Sequence, residues 1–216
     1  MEENADMIRI LVADDHTVVR EGIKQILTGQ DDMIMEDEAG SGQEVINSIT
    51  KKHYDLILLD ISMPGRSGLE ILEEIKAIQP KLPVLILSMH PEEQYAVRTL
   101  RAGAAGYLTK ASAPQELISA IRKVSKGGKY VTSSLAEKLA FELDTGVEKA
   151  DHEKLSNREY QVMLMLASGR SVSEVAEDLC LSAKTISTYR TRILEKMNMK
   201  KNAELTLYAV KNNLIL

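Results

Sequence analysis

Between Ile8 and Val124 the chain alternates five times between a short apolar run and an amphipathic segment, and no other feature restricts its fold as much. The runs are IRILVA (8–13), MIMEDEA (33–39), LILL (56–59), LPVLILS (82–88) and AAGYL (104–108). LILL is apolar throughout, which marks a strand buried on both faces; a strand with one wet face would alternate. The segments between the runs carry helical spacing. GLEILEEIKAI (68–78) places Leu69, Leu72, Ile75 and Ile78 on one face, Pro80 stops it, and Pro114 opens the segment to Val124. Strands alternating with helices predict a parallel sheet with helices on both faces.

After residue 125 the pattern changes. GGKY (127–130) interrupts it, SSLAEKLAFEL (133–143) reads as one more helix, and DTGVEKADHEK (144–154) reads as a polar linker. Beyond it no strand pattern occurs. NREYQVMLMLAS, SVSEVAEDL, AKTISTYRTRILEKM and AELTLYAVKN read as four helices. The expected class is therefore α/β followed by all-α. Charge divides in the same place: residues 155–216 carry nine Lys/Arg against six Asp/Glu, while the whole chain has a net charge of −5. Residues 184–201 hold six basic side chains and one acid, Glu195, so a polyanion-binding module is expected on a mildly acidic protein. The single cysteine, Cys180, rules out an internal disulfide and a Cys-rich zinc site, and its apolar surroundings predict a core position. No apolar run approaches the ~18 residues of a membrane helix. The acidic start MEENADM lacks a signal-peptide profile. A cytoplasmic protein without a membrane partner is expected.

The chemistry concentrates at strand ends. Asp14 and Asp15 follow the first strand and Asp60 the third, with Pro64, Gly65 and Gly68 close behind. In strand order 2-1-3-4-5 the first and third strands are neighbours at the topological switch point, where open α/β sheets keep their ligands. Three converging carboxylates repel one another and call for a lysine, a proton or a metal ion. Oxygen ligands with room for water suit Mg²⁺. Ser88 ends the fourth strand and Lys110 follows the fifth, adding a hydroxyl and a point positive charge at the same rim. Singly, each of these has an ordinary reading as a capping or surface residue; the combination is what carries the site. GSGQEV (40–45) has some of the features of a dinucleotide fingerprint, but Val45 occupies the third glycine position and the stretch follows the second strand, so it is expected to be only a turn and helix start.

The set ADD (13–15), LLDISMPGRSG (58–68), LILSM (85–89) and AAGYLTK (104–110) resembles the receiver domain of two-component response regulators. The resemblance implies a flavodoxin-like (βα)5 fold over residues 7–125. Asp60 would be the phosphoacceptor. Mg²⁺ would be held by Asp14, Asp15, Asp60 and the backbone carbonyl of Ser62. Lys110 would pair with the phosphoryl group, and Ser88 and Tyr107 would form the switch pair, Tyr107 turning inward as Ser88 moves to the phosphate. Ala111 stands where many receivers have proline directly after the lysine. A haloacid dehalogenase-type phosphatase also places a nucleophilic Asp after a strand, but it needs a second acid two residues on, where this chain has Ser62; no enzyme is expected.

In the second half, SVSEVAEDL, the turn CLSA with Ser182 as N-cap, and the basic AKTISTYRTRILEKM read as a helix-turn-helix. The block from Leu155 to Leu205 resembles the LuxR/NarL-type DNA-binding domain. It implies a four-helix domain over 153–216, after a linker with one helix at 126–152. Ser187, Thr188 and Thr191 would face base edges; Lys184, Thr185, Arg190 and Arg192 would contact phosphate. The last helix would be a dimer contact, with Leu205 and Val210 open to a core reading. Both halves together resemble a NarL/FixJ-type response regulator. That implies a sensor histidine kinase as phosphodonor, double-stranded promoter DNA, a homodimer, and RNA polymerase as a further partner. The alternative is a dimeric DNA-binding regulator that works without phosphorylation.

Overall fold

Five strands, β1 (Ile8–Ala13), β2 (Met33–Ala39), β3 (Leu56–Leu59), β4 (Val84–Ser88) and β5 (Gly106–Thr109), form one parallel sheet in the computed structural model, which describes residues 7–145 and 150–215. Their order is β2-β1-β3-β4-β5. The helices between them are α1 (Thr17–Thr28), α2 (Gly42–Lys51), α3 (Gly68–Ile78), α4 (Glu92–Arg101) and α5 (Pro114–Ser125). Both sheet faces are covered. Ile10, Val12, Leu56, Leu58, Leu85 and Leu87 form a core with Ile23 and Leu27 of α1 and Leu117, Ile121 and Val124 of α5. The alternate strand residues Leu11, Ile57, Leu59 and Ile86 are equally buried and face the opposite way. Each Leu or Ile so buried contributes about 2 kcal/mol against the entropy of ordering the chain. LILL is uninterrupted because neither face meets water.

Two strands depart from the expected bounds. β4 begins at Val84, since Pro83 has no N–H to donate and serves the sheet only through its carbonyl, which accepts from Ile57 N at 3.0 Å. β5 begins at Gly106, because Ala104 is still closing the turn after α4, its N–H donating to the Thr99 carbonyl at 2.9 Å. In GSGQEV, Ser41 caps α2 by accepting from Glu44 N, and the Glu44 carboxylate accepts from Gly40 N at 2.8 Å. The glycine turn thus spends its polar groups on a helix start.

The chain forms two compact units that divide between Ala136 and Glu137, inside helix α6 (Ser133–Thr145). Residues 146–149 of the expected linker lie outside the described residues. Asp151–Lys154, expected as unpatterned linker, is a 3₁₀ turn whose His152 Nδ1 lies 2.8 Å from Tyr208 Oη. The helices of the second unit are α7 (Asn157–Ala167), α8 (Val172–Asp178), α9 (Ala183–Lys196) and α10 (Asn202–Lys211). Met163 and Leu166 of α7, Val175 of α8, Ile186 and Ile193 of α9, and Leu205 and Ala209 of α10 are buried. Ser156 with Glu159 and Ser171 with Glu174 form reciprocal capping boxes that start α7 and α8.

Cys180 corrects its expectation. It is exposed, and its backbone lies in the left-handed region at φ 53°. α8 ends two residues earlier, at Asp178, and the turn that follows projects the Cys180 side chain outward while Leu179, the C-cap, keeps the core position. No described helix is long and apolar enough to cross a membrane.

Candidate functional site: an acidic pocket and a basic helix

Sheet pairing builds the first site. Asp14 N donates to Ala39 O at 3.0 Å and Asp60 N donates to Ala13 O at 2.9 Å, so the residues just beyond β1 and β3 stand side by side. Asp14 and Asp60 are each only 1% exposed. The ammonium of Lys110, beyond β5, bridges them, 2.5 Å from Asp14 Oδ2 and 2.8 Å from Asp60 Oδ2. The Lys110 backbone N–H donates to Ser88 O at 2.7 Å, tying the lysine to the end of β4. Asp60 Oδ1 accepts from Ser62 N at 3.1 Å. Ser62 itself is exposed beside the pocket.

The loop after Asp60 is shaped by two glycines. Gly65 has φ 82°, a backbone region L side chains rarely enter. At Gly68, a Cβ would stand 2.5 Å from the Asp60 carbonyl oxygen, so only glycine lets α3 start this close to the phosphoacceptor candidate. Ser67 and Glu70 close a capping box on that helix start.

Burial pushes the Asp60 carboxyl above the usual aspartate range, against the opposing pull of Lys110 and the Ser62 N–H. Burial pushes the Lys110 ammonium down, and its hydrogen bonds to Asp14 and Asp60 more than reverse that, leaving it above the ordinary lysine value. The lysine therefore stays charged where two acids need it. The third acid, Asp15, lacks a similar partner. Its Oδ1 is buried and lies 2.9 Å from His16 Nδ1, yet no aligned hydrogen bond reaches it. Asp14, Asp15, His16 and Asp60 bring ligand atoms within 4.8 Å of one another. An unsatisfied carboxylate oxygen beside two more carboxylates suits a hard divalent cation.

Ser88 is fully buried and its Oγ accepts from His90 N at 3.1 Å. Tyr107 is 1% exposed and donates from its hydroxyl to the His90 carbonyl at 2.8 Å. This phenol is thus buried, with its hydroxyl on the loop that leads into α4. Two further residues, not evident from the sequence, support the pocket. Arg20 Nη1 donates to the Asp14 carbonyl at 2.7 Å, and His16 N donates to Asp14 Oδ1 at 2.9 Å. The available signal was a basic residue one turn into the helix that follows the acid pair.

The second site is α9. Ser182 caps it by accepting from Thr185 N at 3.1 Å. Lys184, Ser187, Thr188, Thr191 and Arg192 are exposed, while Thr185 and Arg190 are half-buried. Thr188 and Thr191 donate their hydroxyls to the carbonyls of Lys184 and Ser187, at 3.0 and 3.1 Å, which leaves acceptor lone pairs and methyl groups facing out. On α10, Leu205 is core, and Leu207 and Val210 are 71% and 49% exposed.

Residues 10–122 match the family described as "Response regulator receiver domain", and residues 153–209 match "Bacterial regulatory proteins, luxR family". The chain is 37% identical over 209 residues to "Response regulator UvrY" of Escherichia coli (strain K12), covering 96% of each chain. It is 37% identical over 209 residues to "Response regulator GacA" of Pseudomonas protegens, covering 97% of this chain and 98% of that one. The chain belongs to the NarL/FixJ-type response regulators. Among solved structures, one of the Salmonella typhimurium RcsB response regulator superposes with a TM-score of 0.71 at 27% identity, covering 98% of this chain and all of that one. Another, RcsB from Salmonella enterica serovar Typhimurium bound to a promoter in the presence of the phosphomimetic BeF₃⁻, has a TM-score of 0.59 at 27% identity, covering 93% and 97%.

This response regulator thus combines a receiver domain with a LuxR-type helix-turn-helix domain. In the latter, the start of α7 is locked to the end of α9. Glu159 is 3% exposed, and its Oε2 accepts from Lys196 Nζ at 2.6 Å and from Ser156 N at 2.8 Å. Burial alone raises its carboxyl, and Lys196 with the Ser156 cap pull it below the usual glutamate value. A folded-state pKa below the unfolded one stabilises the domain above the unfolded value of 4.5 and is lost as pH falls through that range. Glu159→Gln is expected to cost about 2 kcal/mol at pH 7. The gap between variant and wild type should close as pH drops below 4.5, measured by urea denaturation at each pH.

Proposed function

We propose that this response regulator is phosphorylated on Asp60 by a sensor histidine kinase, and that the modification controls dimerisation and promoter binding. The observation that carries the reading is Lys110 bridging buried Asp14 and Asp60 beside the unsatisfied oxygen of Asp15. An Asp60 oxygen attacks the phosphorus of a phosphohistidine; the new P–O bond forms as the P–N bond breaks, and the imidazole nitrogen keeps the electron pair. Asp14, Asp15, Asp60 and the Ser62 carbonyl would hold Mg²⁺, which neutralises charge on the phosphoryl oxygens when bound. Lys110 is placed to turn from its carboxylate partners toward the same oxygens. Ser88 is one hydrogen bond from His90, and His90 is one from Tyr107, so a Ser88 hydroxyl drawn to the phosphate pulls on the loop that leads into α4.

We assign the receiver to residues 7–125, a linker with one helix to 126–152 and the DNA-binding domain to 153–216. Ser187, Thr188 and Thr191 face base edges, and Lys184, Thr185, Arg190 and Arg192 contact phosphate. The exposed Leu207 and Val210 of α10 suit a contact with a second copy. Two linked modules bind more tightly than one through effective concentration. The promoter complex of RcsB supports DNA as the partner. The work belongs in the cytoplasm, with RNA polymerase met at the promoter.

Lys184→Ala and Arg192→Ala are each expected to weaken binding evenly across DNA sequences. Each should flatten the dependence of log K on log salt by about 0.9, read by titrating duplex DNA at several salt concentrations. The reading as a whole is tested by mapping chromosomal occupancy of wild type and Asp60→Asn under conditions that activate the system. Loss of sites in the variant supports it, and identical maps contradict it.

A further inference from the structure

Arg190 lies at the edge of the outward face of α9, between exposed Ser187 and Thr191 and the buried Ile186 and Ile193. Its Nε donates to Asn202 Oδ1 at 2.6 Å. Asn202 is the first residue of α10, and the exposed Lys200 and Lys201 precede it. An arginine Nε can only donate, so the amide oxygen faces it. A guanidinium has five N–H donors, and this contact uses one. It pins the planar group by its inner edge and leaves the outer N–H groups available for an anion. A free arginine samples many rotamers and must surrender them on contact with phosphate; one already fixed has less to lose.

We infer that Asn202 is a positioning residue for DNA binding, holding the Arg190 guanidinium beside Lys200 and Lys201 so that its outer N–H groups meet a backbone phosphate. The inference rests on the reading of Arg190 as a phosphate contact. Asn202 carries no charge, so it releases no counterion of its own. Any effect it has on the salt dependence of binding must pass through a charged neighbour.

The test is a double-mutant cycle on the full-length chain. The probe is a DNA duplex selected from random sequence by the wild-type protein, titrated at several salt concentrations. Arg190→Ala should weaken binding about tenfold and flatten the salt dependence by about 0.9. Asn202→Ala should weaken binding about threefold and flatten the salt dependence by a fraction of that amount, with an unchanged melting temperature. In the Arg190→Ala background, Asn202→Ala should have no further effect. Asn202→Leu, which keeps the side-chain volume without an acceptor, should repeat the pattern and guards against a fold defect specific to alanine. If Arg190→Ala lowers affinity but both Asn202 variants leave affinity and salt dependence as in wild type, the inference is overturned and the phosphate contact stands. The inference is also overturned if the Asn202 variants cost the same factor with and without Arg190. An unchanged salt dependence in Arg190→Ala overturns the phosphate contact and the inference together.

Discussion

Asp60→Asn is expected to abolish covalent labelling of the chain by a small acyl phosphate donor in the presence of Mg²⁺. The amide is almost the same size as the carboxylate, so the pocket stays packed, but its oxygen is a far poorer nucleophile. The expected fall is at least about 10³-fold, to the background of the assay. Labelling of the wild type should also disappear when Mg²⁺ is chelated, since three carboxylates and one lysine leave the cluster short of positive charge. Intact-mass measurement checks both. The same variant should be more stable than the wild type without Mg²⁺, by about 1 kcal/mol, because it removes a charge that burial disfavours. Residual labelling at another carboxylate would move the phosphoacceptor away from Asp60.

Lys110→Met separates two jobs that one ammonium performs. In the wild type the lysine side chain is only 7% exposed and is the buried counter-ion of Asp14 and Asp60. Replacing it with an apolar chain of similar length leaves both acids uncompensated, and the receiver is expected to lose about 3 kcal/mol of stability without divalent cation. Mg²⁺ should restore part of that loss and should bind about tenfold more tightly than to the wild type, because the competing cation is gone. Phosphorylation should nevertheless slow about 10²-fold, since a donor aimed at the transferring oxygens is missing. Urea denaturation with and without Mg²⁺, calorimetric titration of Mg²⁺ and the labelling rate read the three effects. Tighter metal binding with slower phosphorylation is the signature; if both fall together, Lys110 serves only to hold the pocket in shape.

Much of this pocket is legible in the sequence because sheet topology does the geometric work. Once β1 and β3 are neighbours, residues just past their ends must meet, and Asp14 and Asp60 need no other information to converge. Ser88 and Lys110 follow for the same reason from the pairing of β4 with β5. What the sequence conceals depends on contacts whose partners lie elsewhere in the chain. The pairing register of β1 with β2 slips at Glu36, which no alternation in MIMEDEA announces, and Arg9 takes up the glutamate as an ion pair at 2.9 Å. Tyr107 stands out only through the family resemblance, and nothing near it in the chain announces that its hydroxyl donates to the His90 carbonyl, seventeen residues away. Cys180 reads as core because its neighbours are apolar, and only the left-handed backbone at the end of α8 turns it outward. The recognition helix is legible from charge and spacing. The partner of Arg190 is not, because Asn202 is twelve residues away on another helix.

Chemistry at Asp60 is proposed to govern the grip of α9 on DNA. The most direct measurement titrates one promoter duplex with the full-length chain before and after phosphorylation, with Asp60→Asn treated identically. The phosphorylated wild type is expected to show a lower dissociation constant, and the variant no change. Equal affinity of the phosphorylated and unphosphorylated wild type would contradict it.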